Sequence, residues 1–252
     1  MAGDEITPFA WGASVGTQLG GETTGLGVLF ARSFRLPNFG ERFLPAHARD
    51  SLRLSGDADL EPETAWEATG DWHLRLGRAT NRVRASWIRA ESDIAFRPRA
   101  GEPDTVRVAS NAGEASRMLF LEERVSGDWR VAGIRILADA AGMYSTGDRE
   151  NAFASVPRFQ VNGSLLFGRD FFDETSAVFL GASVLSADER VDYQGNLLPS
   201  FTVLNFMLEA RLLDARMYLQ YLNALDEQYR TQSDYLMTPR TFVYGIEWTL
   251  FN

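Results

Sequence analysis

Apolar and polar residues alternate with period two through most of this 252-residue chain. That is the signature of β-strands whose two faces meet different surroundings. From Thr241 to Phe251, one face carries Phe242, Tyr244, Ile246, Trp248 and Leu250, and the other Thr241, Val243, Gly245, Glu247 and Thr249. A helix would scatter these residues around its axis. The pattern recurs at Phe9–Leu19, Thr64–Leu76, Arg158–Phe167 and Leu204–Leu212. Met118–Val125 and Trp129–Ala138 alternate less cleanly and are also read as strands.

The segments number about eleven, each of about ten residues, the length that crosses a bilayer when tilted. Their connections are alternately short and long, as in membrane barrels with tight turns on one side and extended loops on the other. Short connections are expected at Gly20–Thr23, Gly77–Asn81, Ser126–Asp128, Gly168–Thr175 and Leu213–Asp214. Long ones are expected at Leu36–Pro62, Arg97–Glu114, Ala140–Val156, Ser186–Ser200 and Asn223–Pro239. Trp11, Trp66, Trp72, Trp87, Tyr221, Phe242 and Trp248 fall on apolar faces, several near strand ends where an interfacial girdle would lie. The expected fold is all-β, a transmembrane antiparallel up-and-down β-barrel. A soluble sandwich would instead have short hairpins at both ends.

Charge and composition exclude other classes. With 25 basic against 34 acidic residues the net charge is −9, whereas phosphate binding needs a concentrated basic surface. Nucleic acid is therefore not expected as a partner. The absence of cysteine excludes a disulfide framework and thiolate metal sites, and suits export through an oxidising compartment. No apolar stretch reaches the roughly 18 residues of a membrane-spanning helix, so any crossing uses strands. Residues 1–14 lack the pattern of a secretory signal.

Catalysis is not expected. The paired acids Glu122–Glu123 and Asp226–Glu227 are adjacent in sequence, and strand neighbours point to opposite faces. No Gly-x-Ser-x-Gly elbow, Ser-His-Asp set, phosphate loop or dinucleotide fingerprint is present. Neither a metal nor a cofactor is expected, since His47 stands alone and His73 falls on a polar strand face between Asp71 and Arg75.

Three stretches resemble the barrel domain of TonB-dependent receptors. Ser33-Phe34-Arg35-Leu36-Pro37-Asn38-Phe39, with Glu41 and Phe43, is similar to the family's strand exit and acidic-aromatic loop start. Gly56-Asp57-Ala58-Asp59-Leu60-Glu61-Pro62-Glu63, running on to Trp66-Glu67, resembles its re-entry into the next strand. Leu222-Asn223-Ala224-Leu225-Asp226-Glu227-Gln228-Tyr229 and Pro239-Arg240-Thr241-Phe242 resemble its closing box. The final strand also resembles the barrel-assembly signal at Gly245, Trp248 and Leu250, although Phe251 and Asn252 follow where the family stops at an aromatic.

The resemblance covers Thr7 to Phe251 and implies that residues 1–252 are the C-terminal half of a barrel of about 22 strands, without the plug domain. It implies the outer membrane as the location, with its lipid as surroundings. It also implies uptake of a scarce nutrient of siderophore, cobalamin or oligosaccharide type, energised by a TonB-type transducer that acts through the plug. The N-terminal barrel half and plug would come from the same or a separate chain, because open sheet edges are costly in lipid. A small autonomous barrel acting as a passive pore or structural wall is the alternative. Arg82, Arg84, Arg158, Glu209 and Arg211 are expected on the inner wall, and Arg35, Phe39, Arg42, Phe43 and His47 are the candidate substrate contacts in the first long loop.

Overall fold

The computed structural model describes residues 12–43, 47–49, 52–98, 106–148, 153, 155–172, 175–192, 196–232 and 235–248. Eleven strands form one antiparallel sheet in chain order, each bonded to its sequence neighbours. They are β1 (Ala13–Gly20), β2 (Thr24–Arg35), β3 (Glu63–Leu76), β4 (Ala79–Glu91), β5 (Ser116–Val131) and β6 (Ile134–Gly147), followed by β7 (Phe159–Phe171), β8 (Ser176–Ala187), β9 (Phe201–Leu212), β10 (Ala215–Leu222) and β11 (Thr241–Trp248). The expected positions Phe9, Trp11, Leu250 and Phe251 lie outside the described residues.

Short turns join the strands at one end and long loops at the other, as the sequence predicts, although β6 runs on to Gly147, so the connection expected at Ala140–Val156 begins only at Asp148. One turn differs. Ser126–Asp128 is not a connection but the continuing strand β5, and the chain reverses at Ala132–Gly133, between the paired residues Val131 and Ile134. Trp129–Ala138 is therefore two strand ends and a turn. Both turn residues have positive φ, 51° at Ala132 and 79° at Gly133, which a two-residue type I′ hairpin requires. Gly127 has a packing role instead: a Cβ there would come within 2.1 Å of the Trp129 ring, which lies over it.

The two faces differ chemically. Register places Val15, Phe30, Ala68 and Trp87 on one face, which continues through Leu119, Phe167, Leu180, Leu208, Leu219 and Tyr244. Among the described residues no second layer covers it: Leu180 is 61% exposed and Tyr244 80%. A contiguous apolar surface of this extent is foreign to a water-soluble domain. Trp72, Trp129 and Trp248 lie on it towards the short turns, while Trp66, Tyr221 and Phe242 lie on it towards the long loops. The Trp72 indole N–H donates to Thr24 Oγ1 at 3.2 Å, and an amphipathic ring of this kind suits a boundary between apolar and wet surroundings.

The long loops carry their own structure. His47–Arg49 pairs with Leu52–Ser55, which runs parallel to Val106–Asn111, which in turn pairs with Ile94–Pro98. Two different long loops, one between β2 and β3 and the other between β4 and β5, thus share a four-stranded sheet. The only compact buried apolar cluster among the described residues is also at this end, where Ala187, Phe201 and Val203 are packed by Leu185 and Tyr229.

Candidate functional site

The face opposite the apolar one is a lattice of ion pairs within strands, between neighbours and, at Arg130–Asp170, across an intervening strand. Arg82 Nε lies 3.6 Å from Asp71, Arg124 lies 3.0 Å from Asp139, and Arg130 reaches Asp170 at 2.9 Å. Glu209 is 4% exposed and accepts from Arg211 Nε at 2.8 Å and Arg216 Nη2 at 2.7 Å. Arg216 also approaches Glu247 at 3.4 Å, so three strands are tied at this point. A recess of about 370 Å³ opens between Arg82, Arg84, Glu122, Arg124, Gln160 and Asn162. His73 lies over Gly25, its Nε2 at 3.2 Å from Gly21 O.

At the long-loop end, Arg35 closes β2 and binds two acids. Its Nε donates to Glu63 Oε2 at 2.5 Å and its Nη1 to both oxygens of Glu41 at 2.8 and 2.9 Å. Glu41 also accepts from the Asn38 backbone N–H at 2.8 Å while Asn38 Oδ1 accepts from the Glu41 N–H at 2.9 Å. This is a reciprocal capping box at the start of the short helix α1 (Phe39–Phe43). Four of the five expected substrate contacts therefore gather around one loop start. Arg35 is held in ion pairs, Arg42 Nη2 donates to Leu60 O at 3.4 Å, and the Phe39 and Phe43 rings stand exposed 5.2 Å apart. His47 lies further on, in the shared loop sheet, with its backbone paired to Leu54.

Asn223 anchors the loop between β10 and β11. It is 3% exposed, takes a bond from the Glu227 N–H at 2.9 Å, and gives one to Glu227 O at 2.8 Å. Asp226 Oδ1 accepts from the Arg240 N–H at 3.0 Å. These closing-box residues are thus turn and loop fixtures, as their types suggest. Asp57 plays the same part in the first long loop, accepting from the Asp59 N–H at 2.9 Å.

Sequence reasoning missed a second cluster at this end. The Phe201 and Tyr229 rings stack with centroids 4.5 Å apart, and the Arg190 guanidinium lies 5.5 Å from the Phe201 centroid. Arg190 Nη2 donates to Arg230 O at 3.3 Å, but its Nη1 is buried without a partner, and no carboxylate pairs with it among the described residues. Burial lowers the Arg190 pKa from its ordinary value. The loop between β4 and β5 buries Asp93, whose Oδ2 meets Arg97 at 3.0 Å while its Oδ1 has no partner among the described residues. Burial pushes the Asp93 carboxyl above the usual range, Arg97 opposing the shift and the Glu63 carboxylate adding to it.

A two-faced, eleven-stranded, up-and-down sheet with long loops at one end has half the strand count of a 22-stranded membrane barrel. The family described as "TonB dependent receptor-like, beta-barrel" matches residues 27–223. The chain belongs to this family. Among curated proteins none matches.

Solved structures of the family share the fold. The ferric enterobactin receptor PfeA of Pseudomonas aeruginosa, in a G324V mutant, superposes with a TM-score of 0.66 at 15% identity over 96% of this chain and 40% of that one. The copper transporter OprC gives 0.67 at 16% identity over 89% and 36%. The siderophore receptor PirA of Acinetobacter baumannii gives 0.65 at 13% identity over 95% and 41%. This TonB-dependent receptor barrel thus spans about two fifths of the length of the receptors it matches, and β1 and β11 are the edges of a partial barrel.

Proposed function

We propose that this chain is the C-terminal part of the barrel wall of an outer-membrane receptor that takes up a scarce nutrient with energy from a TonB-type transducer. The observation that carries this is the apolar sheet face with no described residue packed over it, bounded by aromatics at both ends. Turned to lipid it needs no cover; turned to water it would be a liability. The polar face then lines the lumen, where its ion pairs meet water and a plug. The free edges of β1 and β11 call for further strands, since unpaired backbone groups cost several kcal/mol each in lipid. The remaining barrel strands and the plug come from the same or a separate chain, and the transducer acts through that plug.

The cargo belongs to the siderophore, cobalamin or oligosaccharide type. The desolvated Arg190 guanidinium beside the Phe201–Tyr229 stack, which no carboxylate pairs among the described residues, favours an anionic, partly aromatic member of that set, such as a ferric siderophore. The first-loop residues Arg35, Phe39, Arg42, Phe43 and His47 shape the approach to it.

The test is uptake of radio-iron siderophore by cells that carry the full receptor, with and without the transducer. Energy-dependent accumulation is expected, and Arg190→Ala should raise its half-saturation concentration about tenfold through the loss of one charge-assisted contact worth about 1.4 kcal/mol. Flux that persists unchanged without the transducer would overturn this reading in favour of a passive pore.

A further inference from the structure

Three arginines and a tryptophan stand in one row on the apolar face at the long-loop end. The register pairs Arg32 with Trp66, Trp66 with Arg89, and Arg89 with Arg117, so the row crosses β2, β3, β4 and β5 without a break. Each member lies within four positions of the long-loop end of its strand. One step nearer the short turns, the residues on the same face beside the three arginines are Phe30, Trp87 and Leu119. The row is therefore where apolar surface gives way to charge. On β7 to β11 the same face carries Phe159, Ser186, Thr202, Tyr221 and Phe242 at this end, none of them charged. The cations are gathered on one part of the sheet.

Like charges directly opposite each other on a ladder repel. Arg89 and Arg117 are such partners, their Cα atoms about 5 Å apart. Nearby acids offset this only in part. Arg89 Nη2 meets Glu91 at 3.0 Å, but its Nε has no partner among the described residues. Arg117 is exposed, and among the described residues no carboxylate pairs with its guanidinium; Asp148 Oδ2 instead accepts from the Arg117 backbone N–H at 3.0 Å. Arg32 brings a third cation, its guanidinium 5.6 Å from the Trp66 ring centre, and Trp66 in turn meets the Phe30 ring at 5.5 Å. Guanidinium groups bind phosphate through paired N–H donors, and at the edge of an apolar band their long stems carry those donors to headgroup level.

We propose that this row holds the phosphate of an anionic lipid in the leaflet on the long-loop side. The proposal rests on the barrel reading above, which turns this face to lipid. A headgroup phosphate between Arg89 and Arg117 accepts from both guanidinium groups and relieves their repulsion. The acyl chains then run over Phe30, Trp87 and Leu119, which are 46%, 38% and 45% exposed. Trp66 supplies an amphipathic ring at headgroup level. A free phosphate ion would gain the charge contacts alone, whereas a lipid also covers the apolar surface directly below them.

The full receptor, purified in dodecyl maltoside, is offered diphosphoryl lipid A or phosphatidylcholine at equal concentration and read by native mass spectrometry. Retention of lipid A is expected, with phosphatidylcholine held about tenfold more weakly. Arg89→Gln together with Arg117→Gln should weaken lipid A about tenfold as well. Arg169→Gln, which removes an arginine of the same face near the short turns, should leave it unchanged. Arg117→Gln alone, at an exposed position, serves if the double variant does not assemble. Equal retention of the two lipids, or retention that survives the arginine changes, overturns the proposal. Displacement of lipid A by millimolar inorganic phosphate also overturns it, since the row would then be a free-anion site. Heat-modifiable gel mobility of the same samples separates the two readings. A heat-modifiable receptor with no preference for lipid A defeats only the lipid site, whereas a receptor that is not heat-modifiable defeats the barrel and this proposal with it.

Discussion

The Tyr218 ring lies over Gly245 of the adjacent strand, so close that a Cβ on Gly245 would stand 2.5 Å from the phenol oxygen. The two residues are direct partners in the β10–β11 ladder, on the polar face. The ring covers backbone that glycine leaves bare and fixes the register of the last strand pair. Gly245→Val would force the ring aside at a cost of about 1–3 kcal/mol, the usual range for overpacking. Urea unfolding of the assembled receptor in detergent should show a lower midpoint with unchanged slope. A second change, Tyr218→Ala, should restore part of the loss, and no restoration would show that the contact is not the cause.

Glu209 is held between Arg211 and Arg216 with little solvent contact. Removing the acid leaves two cations facing each other on one wall, and breaking a buried pair from one side costs about 3 kcal/mol. Glu209→Ala is expected to destabilise the receptor by about that much, and Glu209→Gln by less, because the amide oxygen still accepts. Equal stability of both variants in a denaturant titration would show that water in the lumen compensates fully.

Asn38 and Glu41 cap α1 reciprocally, and Glu41 passes the contact on to Arg35. Asn38→Ala should cost about 1 kcal/mol locally, which corresponds to about fivefold faster amide exchange at Glu41 and Arg42. The strands should be unaffected, so global unfolding should not move. Hydrogen-exchange mass spectrometry on loop peptides reads this directly.

Asp93 links the loops to pH. Its carboxyl is raised in the folded loop, first by burial, so the protonated form is favoured there. Its contribution to loop stability is therefore greatest below the ordinary aspartate range. It declines as pH rises from that range through the higher folded value. Loop peptides around Ile94–Pro98 should be better protected at about pH 4 than at pH 7 after correction for intrinsic exchange. Asp93→Asn should remove the difference, and a pH slope that survives the substitution would assign it to another group.

Strand existence and facing were legible in the sequence because every strand of the sheet has one apolar and one polar face, and period two reports this without reference to distant partners. The misplaced turn shows the limit of local signals. Ser126-Gly127-Asp128 has turn composition, yet Gly127 is small to admit the Trp129 ring. The true reversal at Ala132–Gly133 carries an alanine in the left-handed region, where local preference is weak evidence. The first-loop candidates were legible as a group, although Arg35 is committed to Glu41 and Glu63, acids contributed from both ends of the loop. The Arg190–Phe201–Tyr229 cluster was not legible, since its members come from two loops and a strand start and nothing in their spacing reports contact.

The parallel pairing of Arg53 with Val106 and Ser55 with Val108 joins the loop after β2 to the loop after β4 through backbone hydrogen bonds. Their sequences can drift, since backbone bonds tolerate most side chains, but their lengths cannot drift separately: an insertion in either would shift the pairing of both. Sequence change at this end would therefore favour substitutions over insertions, and would alter the lengths of these two loops only in concert.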